Sequence, residues 1–156
     1  MKLRRTVPAA VRAVPERRLA WGVTDDGTAL VAGPTSLYVG EQPLPWTSVE
    51  RVSWQPPVLT ITEVAEVEGT GASHSWTLVE EARLAEIVRE RVTASIAWSD
   101  VRSLQPAGAV RLVGRRMPGQ EVLEWQTVWQ AGTNPADPLL RAQVDAFLDG
   151  LRKSIG

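Results

Sequence analysis

The sequence predicts an α+β protein: a small β-barrel capped by one helix and followed by a ββα extension. Three observations predict it. Short apolar runs separated by turn residues fill Leu19 to Leu78. From about Glu80 to Ile96, apolar residues recur at steps of three and four, the period of a helix face. Two further alternating runs, Ala109–Arg116 and Glu121–Trp129, then precede a closing amphipathic stretch that starts at Asp137-Pro138.

Residues 1–17 read as a basic N-terminal arm, because Pro8 and Pro15 interrupt any helix. The barrel with its capping helix spans 18–97, and the extension, packed on the barrel, spans 98–156. The first strand, about Arg18–Thr24, ends at Asp25-Asp26-Gly27. Asp-Gly favours a two-residue hairpin turn with positive φ. Gly33-Pro34 and Gly40–Pro43 punctuate the next strands. In Val49–Trp54, strict alternation sets Val49, Arg51 and Ser53 against Glu50, Val52 and Trp54. Pro56-Pro57 breaks the chain, and Val58–Val64 sets Leu59, Ile61 and Glu63 on one face. Glu66 to Ser73 is a polar, glycine-rich loop, and His74–Leu78 is the last barrel strand.

The capping helix carries the stripe Leu84, Ile87, Val88, Val92, Ser95 and Ile96. Ile87 and Val92 are expected to plug the barrel. Thr77 and Glu80 have capping-box spacing, although Thr77 equally fits the strand. In the extension, Met117-Pro118-Gly119-Gln120 has the proline and glycine of a type II turn. That turn sets Leu112 opposite Trp125 and Gly114 opposite Leu123. Asp137 is an N-cap with proline at the first helical position. The closing helix, about Pro138 to Lys153, is expected to bury Leu140, Val144, Phe147, Leu148, Leu151 and Ile155.

Composition excludes several chemistries. A chain of 156 residues buries roughly 68–70% of its unfolded surface without staples. It has no cysteine, which removes disulfides, thiol nucleophiles and cysteine-ligated metals. The formal net charge is −1, so no global field draws it to nucleic acid. Residues 1–18 nevertheless sum to +5, through Lys2, Arg4, Arg5, Arg12, Arg17 and Arg18 against Glu16. The arm either lies on its own domain or reaches a partner. Fifteen of the seventeen cations are arginine, which suits anion recognition and also follows from a GC-rich genome. No apolar run approaches a membrane span or a signal peptide core, so the expected location is the cytoplasm.

Candidate sites are few. His74, the only histidine, stands between Ser73 and Ser75, but strand neighbours point to opposite faces, which argues against a nucleophile–base pair. Neither a metal cluster nor a phosphate loop is present, so no cofactor is expected. Asp25-Asp26-Gly27 has a turn role, and Glu63, Glu66 and Glu68 make a solvated edge. Six of the seven tryptophans occupy strand positions where burial explains them. Trp98 is the one expected at the junction of the two halves. Arg89, Arg91, Arg115 and Arg116 could form an anion site, with Glu86, Glu90, Glu121 and Glu124 placed to neutralise them.

The order Leu37-Tyr38-Val39, Leu44-Pro45-Trp46-Thr47-Ser48-Val49-Glu50-Arg51-Val52, Leu59-Thr60-Ile61, Trp76-Thr77-Leu78 and helix resembles the pleckstrin-homology-like (PH-like) domains of bacteria. With Arg89-Glu90-Arg91-Val92-Thr93-Ala94-Ser95 and the Asp-Pro-capped closing helix, the whole chain resembles uncharacterised actinobacterial proteins. The resemblance implies two nearly orthogonal sheets in a partly open barrel, plugged by the helix. It also implies a non-catalytic soluble binding or scaffold module with a protein partner, self or other. The other reading is a small-molecule-binding protein or weak enzyme with a pocket between the halves. Pleckstrin-homology domains outside bacteria hold phosphoinositides with basic residues at the first hairpin. The acidic turn at Asp25-Asp26 implies no specific phosphoinositide here.

Overall fold

The computed structural model describes residues 7–65 and 71–155. Lys2, Arg4 and Arg5 of the arm, and Glu66 to Thr70 of the polar loop, lie outside the described residues. The architecture is mixed α+β, built on a curled antiparallel sheet that forms a half-barrel. Its strands are β1 (Ala20–Thr24), β2 (Ala29–Ala32), β3 (Ser36–Val39), β4 (Gln42–Pro45), β5 (Val49–Gln55), β6 (Val58–Glu63) and β7 (Ser73–Glu80). They run in the order β4-β3-β2-β1-β7-β6-β5. The β1–β7 pairing is short and irregular at Val23/Thr24, where the sheet turns.

Local chemistry departs from strict pattern in three places. The first hairpin is a three-residue loop: Thr24 N bonds the Thr28 carbonyl at 2.9 Å, and Gly27 takes φ +87°. Glycine thus serves the left-handed position that follows a type I turn, not a two-residue turn. In β5 a bulge between Val49 and Arg51 resets the alternation, so Val49 joins Val52 and Trp54 on the core side. Trp46 is not a strand residue. It opens a 3-10 turn, Trp46–Ser48, and its indole N–H donates to the Gly33 carbonyl at 2.9 Å.

The capping helix α2 (Leu84–Ala94) is shorter than its stripe suggests. Strand β7 runs on through Thr77, which pairs with Val58, to Glu80, which pairs with Val23, so the capping box does not form. Glu81 takes over, its Oε1 accepting from Ala85 N at 3.1 Å. Leu84, Ala85, Val88 and Val92 are buried against the curled sheet, together with Leu30, Leu37, Trp46, Leu59 and Ile61. Ile87 is only half-buried, at the edge of that core.

After Ser95 the chain becomes β8 (Ile96–Ser103). With β9 (Ala109–Arg115) and β10 (Glu124–Trp129) it makes a three-stranded sheet in the order β10-β9-β8, covered by α3 (Pro138–Ser154). The extension is therefore βββα, not ββα. A two-stranded ribbon is marginal in water, and the third strand completes it. The Met117–Gln120 turn forms, with Gln120 N on the Met117 carbonyl at 3.1 Å. It does not close the hairpin, because the loop runs from Arg116 to Leu123. The register is shifted by two from the expected one: Gly114 faces Trp125, and Leu112 faces Thr127. A shift of two preserves the faces. Val110, Leu112, Trp125 and Trp129 still pack on Leu140, Val144 and Leu151 of α3. Asp137 caps α3 by accepting from Leu139 N at 2.9 Å, as its position predicts. Ile155 is exposed beyond the helix end.

Residues 7–17 do not hang free. A single turn, α1 (Ala9–Arg12), inserts fully buried Val11 against Val31, Ala29 and Tyr38 on the outer face of the half-barrel. Glu16 anchors the segment, accepting from Thr35 Oγ1 at 2.5 Å and Tyr38 Oη at 3.0 Å. Among the described residues no helix is long and apolar enough to cross a membrane.

Candidate functional site

The half-barrel and the three-stranded sheet meet at a polar seam, and Arg115 is its centre. Arg115 is the last residue of β9 and is 2% exposed. The other face of its sheet packs on α3, so this side chain enters the half-barrel instead. Its Nη2 donates to the Trp46 carbonyl at 2.6 Å, its Nη1 to the Val49 carbonyl at 2.8 Å, and its Nε to Ser95 Oγ at 2.9 Å. Gln126 of β10 adds a bond from Nε2 to the Thr47 carbonyl at 2.5 Å. The fork thus adds charge-assisted bonds to the carbonyls at the end of the 3-10 turn, where the Trp46 carbonyl also accepts from Val49 N. Burial pushes the Arg115 guanidinium down to about 10, against a smaller upward pull from Glu124. It stays charged at neutral pH.

Arg116, one residue on, points the opposite way and is exposed. Its backbone N–H donates to the Ser95 carbonyl at 2.8 Å, which ties the end of β9 to the end of α2. Arg91, from the last turn of α2, lies beside it. Together they line a pocket of about 170 Å³, floored by Trp46 and Pro34 and rimmed by the Met117–Gln120 turn. Among the described residues no carboxylate lines this pocket. Neither arginine has an ion pair among the described residues, so the expected neutralising glutamates do not engage them. Glu86 pairs with Arg83 instead, at 3.1 Å. Arg91 Nε is buried and has no hydrogen-bond partner.

Of the five residues singled out from the sequence, Arg91 and Arg116 share this pocket and Arg115 stands behind it. Arg89 is exposed outside the pocket lining. Trp98 is not at the junction. As a β8 residue opposite Gly114 it enters the second core, edge-on to Trp125 at 5.5 Å. Sequence reasoning missed Gln126 and Ser95 as seam residues. The available signal was alternation, which places Gln126 on the same sheet face as Arg115.

Elsewhere, His74 Nε2 lies 2.6 Å from Glu63 Oε2, and its ring stacks on Trp76 at 5.9 Å. The flanking serines are engaged across strands, Ser73 with Thr62 at 2.9 Å and Ser75 with Thr60 at 2.8 Å. Among the described residues the imidazole's hydrogen-bond partner is Glu63, not a nucleophile. In the β1–β2 loop, hydrogen bonds from Thr24 and then Thr28 hold the Asp26 carboxyl below its usual range. Among the described residues no group of three histidine, cysteine or acidic side chains could hold a metal ion. No family model, curated protein or solved structure matches this chain.

Proposed function

We propose that this chain is a soluble, cytoplasmic, non-catalytic binding module of PH-like type, extended by the βββα unit and working through a protein partner or a second copy. The observation that carries the reading is the strand order β4-β3-β2-β1-β7-β6-β5 with α2 following β7 directly and closing the curl. Fully buried Leu30, Leu37, Leu59, Ile61, Leu84 and Val88 fill the space beneath that helix. Recognition therefore belongs to the surface and to the seam, and a binding role follows more readily than chemistry. The test is a panel of ester, phosphoester and glycoside substrates with the purified full chain. No turnover is expected. Turnover that disappears in His74→Ala would replace the module by an enzyme, because His74 is the only histidine.

A further inference from the structure

We infer that the Arg91–Arg116 pocket binds a phosphate group, free or as a monoester. The inference rests on the binding-module reading and supplies its ligand chemistry. Two arginines from different elements line one pocket, and among the described residues no carboxylate lines it. Arg83 and Arg102, by contrast, are each held by an acid, Glu86 and Asp100 respectively. Arg91 Nε is the one buried side-chain polar atom without a partner among the described residues. A buried donor left without a partner carries a desolvation penalty that an acceptor supplied by a ligand would relieve.

The pocket's size fits. Its roughly 170 Å³ equals the share of five or six water molecules at roughly 30 Å³ each, enough for a tetrahedral oxyanion with part of its hydration or ester carbon. Phosphate fits the charge better than carboxylate does. Two separate forks can each bond a pair of oxygens on a tetrahedral dianion, whereas one carboxylate is satisfied by a single fork. The turn contributes on its side, with Gly119 at φ +81° and no side chain to obstruct the rim. The geometry is also held before any ligand arrives. Arg115 fixes the 3-10 turn beneath the pocket, and the Arg116 N–H bond to the Ser95 carbonyl fixes the distance between α2 and β9. Preorganisation of this kind lowers the cost of binding.

The experiment is an NMR titration of the full chain at constant ionic strength, with inorganic phosphate in one arm and glycerol 3-phosphate in the other. Saturable shifts are expected at the Gly119 and Gln120 amides and at the Arg91 Nε–H. Saturation in both arms assigns a site for the anion itself, and saturation in the ester arm alone assigns a monoester site. Arg116→Gln, at an exposed position, should keep the wild-type spectrum elsewhere and weaken binding tenfold or more. Arg91→Lys keeps the charge, loses the Nε donor, and should also weaken it. The inference is overturned if neither arm saturates, or if Arg116→Gln binds as well as wild type. Such a failure would remove phosphate as ligand and leave the module reading to its own turnover test.

Discussion

Arg115 shows how one side chain can hold two substructures together. Its fork bonds the Trp46 and Val49 carbonyls of the half-barrel from the opposite sheet. Arg115→Ala should therefore cost about 3 kcal/mol in urea unfolding, through the loss of its buried charge-assisted bonds. Arg115→Lys should recover less than half of that, since an ammonium is a point donor and cannot span both carbonyls. A fully stable lysine variant would show that charge alone is what the seam requires. The pH dependence has a definite sign. Burial holds the folded guanidinium near 10, below its unfolded value, so above about pH 10 the unfolded chain binds more protons and this group's contribution to stability rises with pH. Between pH 6 and 9 both states are charged, and the difference between wild type and Arg115→Ala should be flat.

At the scale of elements, two glycines set distances that hydrophobic pattern does not reveal. A methyl group on Gly22 of β1 would stand 2.7 Å from the Glu80 carbonyl oxygen and 3.0 Å from Leu84 Cδ2. The turn into α2 thus rests directly on the strand, and Gly22→Ala should cost about 1–3 kcal/mol by overpacking. Gly114 plays the corresponding part in the second sheet. A methyl there would meet the Trp125 ring at 3.2 Å, in the row where Trp98 and Trp125 approach edge to face. The helix itself is tested by Leu84→Ala, expected to cost about 2–5 kcal/mol, with Ile87→Ala well below it because Ile87 is half-buried. Calorimetry or urea titration of both variants would check the order. If Ile87→Ala cost more than Leu84→Ala, the plug would have been assigned to the wrong residues. The α2 stripe was legible in sequence, but its ends were not. Glu80 and Ile96 fit a helix by period, yet each is claimed by a strand partner distant in the chain, Val23 and Arg115 respectively.

The whole molecule has two cores joined at the seam, with the N-terminal segment docked on the outside of the first. Leu104, Val110 and Leu112 are buried under α3, so deleting residues 136–156 should leave a chain that aggregates. A soluble 1–135 fragment with a cooperative melt would contradict this. The charge map bears on membranes. The β1–β2 loop presents Asp25 and Asp26, the latter held below the usual carboxylate range by Thr24, so phosphoinositide vesicles should bind no better than other anionic vesicles in co-sedimentation. Strong phosphoinositide binding lost on mutating Asp25 and Asp26 would overturn it. The basic residues are better probed by Lys2, Arg4 and Arg5 to glutamine than by deletion. Removing residues 1–16 would also withdraw Val11 and Glu16 and uncover Val31 and Tyr38.

Most of the strands, though not β8, the two amphipathic helices and the Asp137 cap were legible in the sequence, because period, turn chemistry and capping are local properties. The sequence also singled out Arg89, Arg91, Arg115 and Arg116 as a candidate anion site. Only the tertiary structure decided what each of them does. Arg115 and Arg116 are neighbours with the same chemistry, yet one is buried beneath the 3-10 turn and the other lines an open pocket. The pleat sends them to opposite sides, and which side holds the half-barrel depends on β8, a strand whose apolar signal is weak because most of its side chains face solvent. Docking of Val11 was hidden for a related reason. A single buried valine has no period, and its burial follows from an apolar outer face on β2 and β3 that becomes continuous only when the sheet forms.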